Sequence, residues 1–254
     1  MTEFETVLIV LAVVLGATGL GIFLRRFLHA DGLDDPTKDV VRLAMGFVGT
    51  MAALVIGLLL YSAKGSYEDQ RAALEDIAVS LALLDATLDQ YGPEADPSRQ
   101  TIREVAGLMI DRLWPEQVGT RSSLGSAEMS EAGHRIYAKL LALEPKDDAQ
   151  QLLKGQALQI AISVSRDRLL LIAQHGTRAI PPLFIVVLTA WLAILFTSFG
   201  LFGKPNATVI GSLVLSAFAV SGAMFLILEL DLPFQGIVQI PSDALKQVWA
   251  DLGT

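Results

Sequence analysis

The sequence predicts an all-α integral membrane protein, with four transmembrane helices and a helical soluble domain inserted between the second and third. Three observations carry that prediction. First, four long stretches hold no charged residue: Thr6–Leu24, Leu43–Ala63, Ala179–Gly203 and Pro205–Leu228. At about 1.5 Å of rise per residue, each is long enough as a helix to cross a hydrocarbon core of about 30 Å. Second, 52% of residues are hydrophobic and 18% charged, with a mean hydropathy of +0.51. That is too apolar for an ordinary soluble domain. Third, the segment between the second and third runs is polar and has helical spacing, with no alternation of the kind strands show. The divisions are therefore membrane helices at 6–24, 43–63, 179–203 and 205–228, a soluble domain at 64–178 and a tail at 229–254.

The first apolar run follows Glu3 and Glu5 and ends at Arg25-Arg26. It is longer than a usual signal-peptide core and lacks a basic start, so it reads as a membrane helix. Gly16, Gly19 and Gly21 leave a flat patch for another helix to approach. The segment 27–40 is polar and turn-rich, with Asp31-Gly32 and Asp34-Asp35-Pro36, and reads as a short loop.

The second run, LAMGFVGTMAALVIGLLLYSA, carries Gly46, Gly49 and Gly57, which in a membrane helix usually mark tight packing. Lys64 ends the apolar run while the helical pattern continues, with a possible hinge at Gly65-Ser66. Leu74, Ile77, Leu81, Leu84, Leu88 and Tyr91 step by three and four, a heptad seam. Glu68, Asp69, Glu75, Asp76, Asp85 and Asp89 fall mostly off it. The seam serves either oligomer contact or packing within the chain.

Gly92-Pro93 breaks that helix. Asp96-Pro97 reads as an N-cap followed by proline at the first helical position. Ile102, Val105, Met109 and Leu113 then form one apolar face up to Trp114-Pro115. Residues 117–125 form a loop, Ser126 is placed to cap a helix carrying Ile136, Leu140 and Leu143, and Asp147-Asp148 opens a longer helix with Leu153, Ala157, Ile160 and Val164. The sum is a helical bundle. His134 and His175 read as surface or satisfied histidines, and Trp114 as a core or boundary residue.

No catalytic, metal-ligating or cofactor-binding constellation is read from the sequence, so neither an enzyme nor a cofactor is expected. There is no cysteine, which excludes disulfides and thiolate metal sites. Net charge is −8, and 64–178 holds 13 basic against 17 acidic residues. Nucleic acid would be repelled.

Pro181-Pro182 fits the first turn of the third apolar run. In the fourth, Ser212, Ser216 and Ser221 are expected to bond to their own helix backbone or to a neighbour. Glu229 and Asp231 close this helix at the unfavourable end of its dipole, beside an apolar run where an unpaired carboxylate is expensive. Lys64 and Arg178 fall at the same membrane face. The expectation is a boundary charge network of Lys64, Arg178, Glu229 and Asp231, with Asp231 the preferred partner. It would fix a turn at Pro233, Phe234 and Gly236 with Phe234 packed beneath. Ser242 is placed to cap a short amphipathic helix to Leu252.

An even number of crossings puts both termini and the soluble domain on one side. Arg25, Arg26, Lys38, Arg42 and Lys204 flank the membrane on the loop side. Lys64, Arg71, Arg166, Arg168, Arg178 and Lys246 flank it on the other. Five against six leaves the orientation open.

The order of helices, with GFVGTMAALVIGLLLYSA, LFTSFGLFGKPNA and LELDLPFQGIVQIPSDAL, resembles the bacterial bestrophin-like domain family. The layout match covers nearly the whole chain, and the last stretch is the most specific. The resemblance implies an ion channel, for anions, assembled as a homo-oligomeric ring in the bacterial cytoplasmic (inner) membrane. In bestrophins the second membrane helix lines the pore and the soluble part is cytoplasmic. Carried to this sequence, the candidate pore-lining residues are Phe47, Met51 and Val55, at i, i+4 and i+8, with Thr50 beside them. The aromatic-rich constriction of bestrophins has no counterpart here. Expected partners are further copies of the chain, the lipid bilayer and small inorganic ions. Two other readings share the layout: a stator-like proton-driven motor subunit, and a non-conducting scaffold or sensor whose helical domain binds a partner.

Overall fold

The computed structural model describes residues 3–28, 35–114, 127–175, 180–203, 206–231, 233–234 and 237–252. Among them the chain is helical, with no strand. The helices are α1 (Glu3–Leu28), α2 (Asp35–Tyr91), α3 (Asp96–Leu113), α4 (Ala127–Leu141), α5 (Asp148–His175), α6 (Pro182–Phe202), α7 (Ala207–Leu230) and α8 (Asp243–Asp251), with a 3₁₀ turn at Pro93–Ala95. The chain divides into two units: residues 1–66 with 179–231, and 67–178 with 232–254. Four helices, α1, α2, α6 and α7, are long and apolar enough to cross a membrane.

In the first unit, α1 packs chiefly on α6 and also on α7. Val10, Val14, Leu188, Leu192, Phe196, Met224 and Ile227 form its core. The closest approach of two backbones is at glycine. A Cβ on Gly200 would lie 2.5 Å from the Thr18 carbonyl oxygen, and one on Gly21 would collide with the Thr197 carbonyl. Of the three glycines expected to make a flat patch, only Gly21 does so, since Gly16 and Gly19 face open space. Hydroxyls inside these helices donate to their own backbone: Thr18 to Val14 O, Thr189 to Ile185 O, Thr197 to Ala193 O, Ser212 to Val209 O and Ser216 to Ser212 O. That removes a polar group from an apolar setting at little cost. Ser221 departs from this pattern: it is buried with no hydrogen bond to Oγ. Pro182 occupies the first turn of α6, as expected. The Asn206 side chain caps α7, accepting from the Val209 N–H at 2.8 Å, and the Arg25 guanidinium donates to Gly203 O past the end of α6.

The second unit is a helical bundle built on the heptad seam. Leu74, Ile77, Leu81, Leu84, Leu88 and Tyr91 are all buried in its core, with Ile102, Met109, Leu113, Met129 and Leu140. The seam is thus used up within the chain. Asp85, expected to be largely off the seam, is buried and clamped by Arg99 through Nε at 2.9 Å and Nη2 at 3.0 Å. Arg99 Nη1 reaches Asp89 at 2.8 Å. The hydrogen bonds from Arg99 to Asp85 raise the arginine above its ordinary range. Lys139 on α4 donates to Pro97 O and Thr101 Oγ1 on α3. Arg103 fastens α8 to α3, lying 5.5 Å over the Trp249 ring and donating to Leu252 O.

Several local expectations need correcting. The loop expected at 27–40 is helical at both ends, since α1 runs to Leu28 and α2 starts at Asp35. α2 passes unbroken through Gly65-Ser66, with no hinge. Glycine alone is a weak helix breaker, costing about 1 kcal/mol against alanine, and the flanking apolar contacts outweigh that. α2 stops at Gly92 instead, whose φ of 115° suits glycine. Asp96 is the first residue of α3 and not its cap, because the 3₁₀ turn delivers the chain with Ala95 at that position. Ser242 sits at the N-cap of α8 without a side-chain cap bond. Asp147 does cap α5, accepting from the Gln150 N–H at 2.7 Å. The Ser126 cap, Pro115 and the 117–125 loop lie outside the described residues.

Candidate pore face and boundary charges

α2 is the least covered of the four apolar helices. Only 11% of its most apolar window is buried, against 28% for α1, 28% for α6 and 33% for α7. Its covered side is small or aliphatic: Ala52, Leu59 and Ala63 are buried in the unit's core. The uncovered side is a continuous apolar stripe of Val40, Leu43, Phe47, Met51, Leu54, Leu58 and Tyr61, all exposed. The steps are 3, 4, 4, 3, 4 and 3, so one face of the helix is followed for about six turns.

Three of the four candidate pore residues lie on or beside this stripe. Phe47 is 69% exposed and Met51 39%. Thr50 is exposed, and its hydroxyl donates to Gly46 O at 2.9 Å. Val55 does not belong with them: it is half-buried against the unit's core. The reason is angular. At 3.6 residues per turn, a residue eight positions on is rotated by about 80°, whereas one seven on is rotated by about 20°. Leu54 holds the place that i+8 spacing gave to Val55. Leu58 and Tyr61 share that exposed face with Leu54, and a count by sevens from Phe47 reaches Leu54 and Tyr61.

Gly46, Gly49 and Gly57 do not mark a tight contact within the chain. A Cβ on Gly46 or Gly57 would meet nothing within 4 Å, and one on Gly49 would just touch Leu195 at 4.0 Å. Gly46 and Gly49 instead open a groove of about 510 Å3 between α2, α6 and α7. Arg42 and Met45 line it from α2, Phe199 and Phe202 from α6, and Val209 and Ser212 from α7. Arg42 also lies 3.3 Å from Asp39 in an exposed pair.

At the other end of the unit, Glu229 rather than Asp231 is the deeply buried carboxylate, 4% exposed. Asp231 is half-buried at the C-cap of α7, and Lys64 is exposed. Arg178, the other proposed cation, lies outside the described residues, as does Gly236 of the turn. Pro233 and Phe234 are buried. The Pro233 carbonyl accepts from the Ile240 N–H at 2.8 Å, closing the loop between them. Phe234 meets the Trp114 ring edge-on at 6.0 Å, and the Trp114 indole N–H donates to Ile240 O at 2.9 Å. Trp114 packs partly buried against the bundle core and ties the turn to the end of α3. His134 is exposed, and the His175 side chain lies outside the described residues. Among the described residues no group of three or more His, Asp or Glu is placed to hold a metal ion.

This architecture is the bestrophin-like fold. Two point-mutant crystal structures of a bacterial bestrophin homologue from Klebsiella pneumoniae superpose on it, each with a TM-score of 0.72. One is 13% identical in sequence and covers 97% of this chain and 98% of its own. The other is 12% identical and covers 96% and 97%. The Bestrophin-like domain family matches residues 11–245, and the chain belongs to that family. No curated protein sequence matches it.

Proposed function

We propose that the chain assembles with copies of itself into an ion channel in the bacterial cytoplasmic membrane, with α2 lining the pore. In this reading α1, the first part of α2, α6 and α7 cross the bilayer. The bundle between α2 and α6 stands in water. The observation that carries the proposal is the uncovered stripe of α2. A helix of this family that covers so little of its apolar face within its own chain has that face left for neighbours and the conduction path. Phe47, Thr50, Met51 and Leu54 are the lining residues, and an apolar constriction gates by dewetting without needing charge. The family resemblance implies anions as the permeant species. Glu229, Asp231, Lys64 and Arg178 are proposed as the boundary charge network, with Glu229 now the carboxylate whose loss of a partner costs most.

The test is flux through the purified protein in liposomes, with planar-bilayer recording. Met51→Ala should raise unitary conductance and Met51→Trp should lower it. Currents unchanged in both would remove Met51 from the pore. No flux from the reconstituted wild type would favour the scaffold reading, and a co-purifying single-span partner would favour the motor. For the boundary network, Glu229→Gln should lower folded yield. The swaps Arg178→Asp with Asp231→Arg, and Lys64→Asp with Asp231→Arg, should restore part of what their single changes lose. Failure of both swaps would end the pairing idea.

A further inference from the structure

The helical bundle holds a small cavity of about 40 Å3 that is partly open at the bundle's surface. Its walls are mostly apolar, with Leu84 from α2, Met109 from α3, and Met129 and Ile136 from α4. Arg168 on α5 reaches it, and none of the lining residues is acidic. The Arg168 Nη1 atom is buried and has no hydrogen-bond partner. The contrast within the same unit is Arg99, whose guanidinium is clamped by Asp85 and Asp89. Burial depresses the Arg168 pKa. Arg168 as a whole is half-buried and stays charged, so what lacks a partner is the Nη1 end of its guanidinium. A buried charged donor left without an acceptor is among the costliest polar groups in a fold.

Water would fill the space, since about 10–15 Å3 suffices for one molecule. It would satisfy the N–H but not the charge. The cavity admits a compact ion and excludes a nucleotide or a lipid headgroup. Tyr137 lines it too. Ser165 also lines it, but its proton is committed to Ala161 O at 3.0 Å.

We propose that this cavity is a binding site for a small monovalent anion, a halide or a short carboxylate, held by Arg168 inside the bundle. The site belongs to the bundle alone and does not depend on α2 lining a pore. Occupancy would couple the stability of the bundle to the concentration of the anion.

The experiment uses the full chain in detergent. Thermal unfolding is followed in sodium chloride or bromide against sodium gluconate at equal ionic strength. Halide should raise the midpoint by a few degrees in a saturable way. Arg168→Gln should abolish that rise, Arg168→Lys should keep part of it, and Arg71→Gln on the exposed surface should leave it intact. Crystals grown in bromide should show anomalous density at Nη1. This readout needs no variant, so it decides the matter even where Arg168→Gln folds poorly. An equal halide response in wild type and Arg168→Gln, or no bromide at Nη1, would overturn the proposal. So would an oligomer that dissociates on Arg168→Gln without any halide response, which would assign the cavity to a carboxylate of a second copy.

Discussion

Between Val40 and Tyr61, α2 turns a row of large apolar residues outward. Between Leu74 and Tyr91, the same helix buries a row of the same spacing completely. The spacing does not separate them; in the proposed arrangement the surrounding solvent does. In water, leaving one leucine uncovered forgoes about 1.5–3 kcal/mol, so a row of them must find a cover within the chain. In lipid there is no such drive, and packing depends on shape and on the few polar groups present. The upper row is therefore free to meet lipid, another copy or a pore. Heptad spacing reports that a helix has a face, and the charges on the opposite side report who must cover it. Glu75, Asp76, Asp85 and Asp89 accompany the lower row, whereas between Val40 and Tyr61 the single charge is Arg42, near the start.

Four sets of changes test this contrast, taken from the largest effect downward. Leu81→Asp with Leu84→Asp should abolish the folded bundle, read by loss of cooperative unfolding and rapid proteolysis. The matching pair in the upper row, Leu54→Ala with Leu58→Ala, should leave the unfolding midpoint nearly unchanged and alter association or flux. Equal damage from both pairs would erase the distinction. Next, Arg99→Met should cost about 3–5 kcal/mol by stranding the buried Asp85 charge. Replacing both partners by apolar residues should recover most of that, and a single change within about 0.5 kcal/mol of wild type would mean the pair is not buried. Third, Gly200→Ala should cost about 1–3 kcal/mol, because the α1–α6 crossing must open. Gly49→Leu should fold normally and change only how subunits associate, as seen by light scattering. The smallest effect is at Tyr91, whose hydroxyl is buried without a hydrogen bond. Burial, and behind it the charge of Glu94, raises its pKa above the ordinary tyrosine range. The folded state holds that proton more tightly than the unfolded chain, so stability is full below about pH 10 and falls as pH rises from there through the folded pKa. Tyr91→Phe should be neutral or slightly stabilising at pH 7 and should lessen the alkaline loss. An unchanged alkaline unfolding profile would show that Tyr91 does not titrate with unfolding.

The sequence was legible where burial follows periodicity. The seam, the apolar faces of α3 and α4, the Gly92 stop and the Pro182 start all follow from spacing and backbone chemistry. It was less legible where a pairing is remote in sequence. Nothing local says that Asp85 meets Arg99, or that the Trp114 indole meets Ile240. Glycines were misleading for a related reason. Gly21 and Gly46 look alike in sequence, yet one sits under another backbone and the other borders a groove, a difference set by tertiary crossing. Val55 lies off the exposed stripe because an i+8 step drifts about 80° around a helix, whereas an i+7 step drifts about 20°. The resemblance placed the chain in its family from three short stretches, but those stretches do not say which atoms face an ion.

Among the residues proposed to line the pore, Thr50 has its hydroxyl proton already assigned. Thr50 has a single hydroxyl proton, and it is given to the Gly46 carbonyl. What the side chain turns outward is oxygen lone pairs. Repeated around a pore, such threonines form an electronegative collar that would coordinate a cation or the hydrogens of water. An anion crossing there would have to carry its own hydration, because the wall offers it no donor. Any preference for anions measured as a shifted reversal potential would then originate away from the middle of the helix, at a group such as Arg42 near its start.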